Sequence, residues 1–143
     1  MITKMAHASF TVSDIRASLY FFVDLLGLET TPVMTVENDI VQRVIGIPGA
    51  SLLISNVSLP DGNAIELIQY VTPKGKSLDL ATQNPGVAHI AFEVTNLHAM
   101  VERLSSHGIK FVNPPVWDES IKMTVCYLRG PDDITFELME KGA

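Results

Sequence analysis

Apolar and polar residues alternate over positions 5–12 and again over 87–94, and both runs are rich in Val, Ile and Phe. A period of two with that composition predicts a strand at each place. After each strand the period lengthens. Ile15, Leu19, Phe22, Val23 and Leu26 fall at helical spacing behind Ser13 or Asp14, either of which suits the N-cap, and Gly27 suits a left-handed C-terminal position. Leu97, Met100, Val101 and Leu104 repeat the arrangement behind Asn96, and Gly108 ends it. Three further strands are expected in each half: about 28–35, 50–56 and 63–70, then about 109–113, 122–129 and 134–140. The segments Val36–Gly49 and Asn113–Ser120 read as long irregular pieces, of the sort that often serve as lids.

The two halves are related in detail. His7-Ala8-Ser9-Phe10-Thr11-Val12-Ser13-Asp14-Ile15 aligns without gaps on His89-Ile90-Ala91-Phe92-Glu93-Val94-Thr95-Asn96-Leu97. Pro60-Asp61-Gly62-Asn63-Ala64-Ile65-Glu66-Leu67 matches Pro131-Asp132-Asp133-Ile134-Thr135-Phe136-Glu137-Leu138. The chain therefore reads as a βαβββ module repeated: module 1 about 1–72, a turn-rich linker about 73–84, module 2 about 85–143. The expected fold is α+β, a single domain over 1–143 in which two curved mixed sheets surround a cleft.

Strand alternation then selects side chains, since successive residues face opposite ways. Ala8, Phe10 and Val12 form the apolar side of the first strand, leaving His7, Ser9 and Thr11 on the other. The same division leaves His89 opposite Ile90, Phe92 and Val94; Glu66 opposite Ile65 and Leu67; and Glu137 opposite Ile134, Phe136 and Leu138. A single strand His or Glu is ordinarily an edge residue or a satisfied polar group. Here two His and two Glu occupy matched repeat positions with one facing, which points to a divalent-metal site of nitrogen and oxygen ligands. Such a set suits one Zn, Ni, Co, Mn or Fe ion with positions left for substrate.

Composition narrows the partners. A net charge of −6 with no basic block disfavours nucleic acid, and a hydrophobic fraction of 47% describes a packed domain. The most apolar stretch, Leu19–Leu28, contains Asp24 and falls short of the ~20 residues a membrane span requires. The N-terminal residues lack the apolar core of a secretion signal, and one cysteine, Cys126, has no partner for an intrachain disulfide. A cytoplasmic protein acting on a small molecule, with no nucleic-acid or membrane partner, is the expectation. Outside the matched set, His98 and His107 are expected to be solvated. Cys126 reads as a small strand residue, and Arg43, Tyr70 and Trp117 as side chains able to reach a substrate or simply to pack.

The chain resembles the vicinal oxygen chelate superfamily, which contains glyoxalase I, methylmalonyl-CoA epimerase, extradiol dioxygenases and the bleomycin and fosfomycin resistance proteins. The resemblance covers essentially the whole length. It is carried by His7–Asp14, Leu25-Leu26-Gly27-Leu28-Glu29, Gly86–Val94 and Arg129–Leu138. It implies metal ligands at His7, Glu66, His89 and Glu137, with Glu137 as the base and Glu66 as its partner. A complete four-ligand set is similar to the glyoxalase I and epimerase branch. The epimerase usually has Gln where this chain has Glu66, and bacterial glyoxalase I usually has Arg where this chain has Thr11, which argues against a glutathione substrate. The implied activity is a metal-dependent isomerase, epimerase or lyase that removes a proton next to a carbonyl; a homodimer is implied as well. An Fe(II) dioxygenase and a protein that sequesters a small molecule remain the alternatives.

Overall fold

A computed structural model describes residues 1–142. The elements, in order, are β1 (Ala8–Thr11), α1 (Ile15–Leu19) running into a π-helical turn (Tyr20–Leu25), β2 (Glu29–Thr30), β3 (Met34–Val36), α2 (Asp39–Ile45), β4 (Ser51–Ser58) and β5 (Ala64–Thr72). There follow β6 (Ile90–Glu93), α3 (Leu97–Ser106), β7 (Lys110–Phe111), β8 (Val116–Asp118), β9 (Met123–Arg129), a short 3₁₀ turn and β10 (Thr135–Lys141). They form two compact units, Met1–Ser77 and Leu78 onward.

Each unit is one five-stranded mixed sheet. In the first the order is β1-β5-β4-β2 with β3 also on β4; in the second it is β6-β10-β9-β7 with β8 also on β9. The strand that opens each unit runs parallel to the last, β1 to β5 and β6 to β10, and the other pairings are antiparallel. The expected α+β repeat is thus present, with one strand more per unit than the pattern suggested. In the first unit the second expected strand, 28–35, is cut in two; in the second unit β7 falls within the expected 109–113 and β8 lies in the expected irregular segment. Pro32 separates β2 from β3, and Pro114-Pro115 separate β7 from β8, since a proline has no N–H to give the ladder.

Two irregular segments prove to be ordered. Residues Asp39–Ile45 within the expected lid are helical: Asn38 Oδ1 accepts from Val41 N at 3.0 Å, and Gly46 closes the end with φ 72°. Gln42 fastens this helix to its flanks, its amide donating to Glu37 O (3.0 Å) and accepting from Gly49 N (2.8 Å). Val116–Asp118 is a strand paired with β9.

The cores lie between helix and sheet. In the first unit the buried residues include Ile15, Phe21, Phe22 and Leu25 of the helical segment and Ile65, Leu67 and Val57 of the sheet. The helical face differs from the expected one, because the π winding joins Leu26 N to Phe21 O and turns Leu25 inward, leaving Leu19 and Leu26 half-buried. In the second unit Leu97 and Leu104 are buried, as are Cys126, Leu128, Phe136 and Leu138 on the sheet. Phe136 stacks on Phe92 with ring centroids 5.8 Å apart.

Candidate metal centre

Each unit carries one His–Glu pair on the face of its sheet away from the helix. His7 lies immediately before β1, and β1 pairs with β5 so that Ser9 stands beside Glu66. Across this register His7 Nε2 is 3.6 Å from Glu66 Oε2. His89 lies immediately before β6, Ala91 stands beside Glu137, and His89 Nε2 is 3.2 Å from Glu137 Oε2. The geometry of one pair reproduces that of the other because the parallel pairing of first and last strands is the same in both units.

The accessibility of these groups suits ligand binding. The imidazoles are 49% and 39% exposed and the carboxylates 21% and 16%, so the histidines open to solvent while the acids are held at the sheet. Two donors sharing one cation at about 2.1 Å, with angles between 90° and 109°, stand about 3.0–3.4 Å apart. The 3.2 Å pair falls inside that range and the 3.6 Å pair needs a movement of a few tenths of an ångström. Imidazole nitrogen with carboxylate oxygen is also a donor set that divalent transition metals take. Neither unit, among its described residues, gathers a third His, Cys, Asp or Glu into a group able to hold a metal.

One residue of this region was not singled out from the sequence. Tyr127 on β9 is the direct antiparallel partner of Glu137, its hydroxyl is 3.4 Å from His89 Nε2, and the two rings lie 5.1 Å apart. The signal was available: Tyr127 shares the parity of Val125 and Arg129, opposite to the buried Cys126 and Leu128.

The remaining candidates are placed as follows. Arg43 sits exposed in the last turn of α2, and Tyr70 is half-buried on β5. Trp117 lies over Gly142 and donates from Nε1 to Glu119 at 2.7 Å, a local packing role. His98 is exposed on α3, and His107 Nδ1 is bonded to Arg103 O at 2.9 Å at the end of that helix. Cys126 is buried, and burial, reinforced by the charge of Glu137, pushes its thiol up to about 11. That makes it a poor nucleophile at neutral pH.

The chain belongs to the Glyoxalase/Bleomycin resistance protein/Dioxygenase superfamily, whose model matches residues 4–138. Members of this family include metal-dependent enzymes, dioxygenases and fosfomycin resistance proteins. Among solved structures the chain is similar to a glyoxalase family protein from Bacillus cereus, at 27% identity and TM-score 0.92, covering 100% of this chain and 97% of that one. A glyoxalase/bleomycin resistance protein/dioxygenase domain from Frankia sp. is similar at 22% identity and TM-score 0.73, over 99% and 93%. The fosfomycin resistance protein FosX from Listeria monocytogenes, solved with Mn(II) and sulfate, is similar at 19% identity and TM-score 0.67, over 100% and 94%. No curated protein matches the chain. Among the described residues no helix is long and apolar enough to cross a membrane.

Proposed function

We propose that the protein is a metal-dependent isomerase, epimerase or lyase that removes a proton next to a carbonyl group of a small oxygenated substrate. The observation that carries the reading is the repeated His–Glu pair: His7 with Glu66, and His89 with Glu137, at 3.6 and 3.2 Å. In this reading the four side chains hold one divalent cation. Since neither unit offers more than its own pair, a complete ligand set requires a contribution from both kinds of unit, within one chain or across a homodimer. The dimer is part of the proposal: β1 and β6 are edge strands in their sheets, and a second copy is the usual cover for such edges. A lone buried cysteine fits a reducing, cytoplasmic setting.

When bound, the cation supplies Lewis acidity at a carbonyl oxygen, stabilising the negative charge that develops there. The chain's own groups move the protons. A carboxylate oxygen of Glu137 takes the proton from the carbon next to the carbonyl, and the C–H electron pair shifts toward the carbonyl oxygen. Glu66 relays a proton from water to the carbon, and Glu137 gives its proton up to water. The Tyr127 hydroxyl, beside His89 and across the ladder from Glu137, offers a hydrogen bond to substrate oxygen. FosX was solved with Mn(II), which supports a divalent metal in this family and makes Mn a natural first choice for reconstitution.

The experiment is metal analysis of the purified protein followed by deuterium exchange from solvent across a panel of carbonyl acids and ketones. Stoichiometric divalent metal, lost in His7→Ala and His89→Ala, together with exchange at a carbon next to a carbonyl, is expected. Full metal retention in both variants overturns the ligand set. Oxygen consumption by the Fe(II) form would replace the proposal with a dioxygenase, and chelator-insensitive binding without turnover would replace it with sequestration.

A further inference from the structure

Beyond its His–Glu pair, the first sheet presents an apolar band. Ile68 and Tyr70 follow Glu66 on the same face of β5; Ile54 of β4 lies directly opposite Ile68, and Met34 of β3 directly opposite Ile54. Ile54, Ile68 and Tyr70 are half-buried, and Met34 is 53% exposed, so the band is open to a ligand. None of the strands β1 to β5 contains a Lys or Arg. A phosphate, phosphonate or carboxylate tail would find no cation on this sheet, while Glu66 would repel it. The repeat-related positions of the second unit differ. Met139 follows Glu137, but Lys141 then pairs with Glu93 at 3.0 Å, which makes the same stretch charged.

We propose that the substrate carries an uncharged apolar substituent, alkyl or aryl, which lies along β5 and β4 of the first unit while its oxygen-bearing end sits at His7 and Glu66. This rests on the reading that the His–Glu pair holds the metal. At about 3.3 Å per strand residue, Ile68 and Tyr70 stand about 7 and 13 Å along the strand from Glu66, the reach of a chain of several carbons.

The test measures binding of a homologous series of n-alkyl hydroxamates, from acetyl to octanoyl, to the full-length protein in Mn(II)-loaded and chelator-treated forms. Affinity is expected to rise about two- to fourfold per methylene through the first several carbons. Ile68→Thr and Ile54→Thr, which keep the β-branched strand preference, should flatten that rise. A flat or falling series in the Mn(II) form overturns the inference and leaves the metal reading standing. A rise that persists unchanged after chelation, and is flattened in Ile68→Thr, keeps the apolar band and removes the metal reading. Equal binding of a hydroxamate ending in a carboxylate, or no binding by any member in either form, overturns the inference.

Discussion

The two units share a backbone plan and differ in what hangs on it. Val12 N reaches Ile68 O at 2.8 Å in the first unit, and Val94 N reaches Met139 O at 2.8 Å in the second. On equivalent ladder positions Ser55 corresponds to Cys126, Asn56 to Tyr127 and Gln69 to Glu140. Ser55 is buried and bonded to Thr30 Oγ1 and Thr31 O, whereas Cys126 fills the same place as an apolar group. Strand pairing and the sidedness of the core tolerate such exchanges. The face that carries the His–Glu pairs shows where they matter: the first unit is apolar beyond its pair, and the second has an aromatic hydroxyl beside its own. The repeat supplies two similar His–Glu pairs, and the divergence gives them different surroundings.

The largest effect should come from breaking the functional asymmetry. Glu137→Gln is expected to lower solvent deuterium exchange by about 10²–10⁴-fold while keeping the fold, because an amide accepts no proton at neutral pH. Glu66→Gln should cost at most about tenfold. Equal small losses in both would show that neither acid moves a proton.

Next in size is the core. Phe136→Ala in the second unit and Phe22→Ala in the first should each cost about 3–5 kcal/mol, read from denaturant midpoints. Separate loss of one transition in each variant would show that the units unfold independently; a common shift would show that they unfold together.

Smaller still is the exchange at Ser55 and Cys126. Cys126→Ser buries a hydroxyl where the second unit has Leu138 opposite it and Phe111, which has no hydroxyl, at the place of Thr30. A loss of about 1–3 kcal/mol is expected in thermal or chemical unfolding. With its thiol pushed up to about 11, Cys126 should also resist a thiol reagent at pH 8 until the protein unfolds. Rapid labelling of the native protein would contradict its burial. The smallest effect is expected from Gln42→Ala, which removes the links to Glu37 O and Gly49 N. It should raise amide exchange in α2 by about five- to twentyfold, equivalent to about 1–2 kcal/mol of local stability.

Much of the fold and both His–Glu pairs were legible in the sequence, for a physical reason. The repeat fixed which strands correspond, and period-two alternation fixed which side His7, Glu66, His89 and Glu137 take. Helix α2 was missed although Asn38 and Gly46 mark its ends and Ile40, Val41, Val44 and Ile45 fall at helical spacing, because a run of seven residues is too short for that period to stand out from a loop. The π turn was missed because its buried residues, Phe21, Phe22 and Leu25, do not keep the regular helical spacing that was read from the sequence. Tyr127 was missed because its importance depends on the β9–β10 register, which the residues of β9 alone do not specify.

The start of each main helix is bound to the far end of its own unit. Ile15 N donates to Gln69 Oε1 at 2.8 Å, and Leu97 N donates to Glu140 Oε2 at 3.2 Å. Asp14 also caps α1 locally from the position just before it, accepting from Arg16 N and Ala17 N, but Asn96 makes no side-chain cap for α3. The opening turn of α3 is therefore completed by a residue made 43 positions later. During synthesis α1 can begin with its local cap, while α3 must wait until β10 has left the ribosome. The first unit closes the longer loop, 54 positions against 43, so the difference between the helices lies in the local cap: α1 keeps part of its opening turn without its sheet, whereas α3 depends on β10 for it.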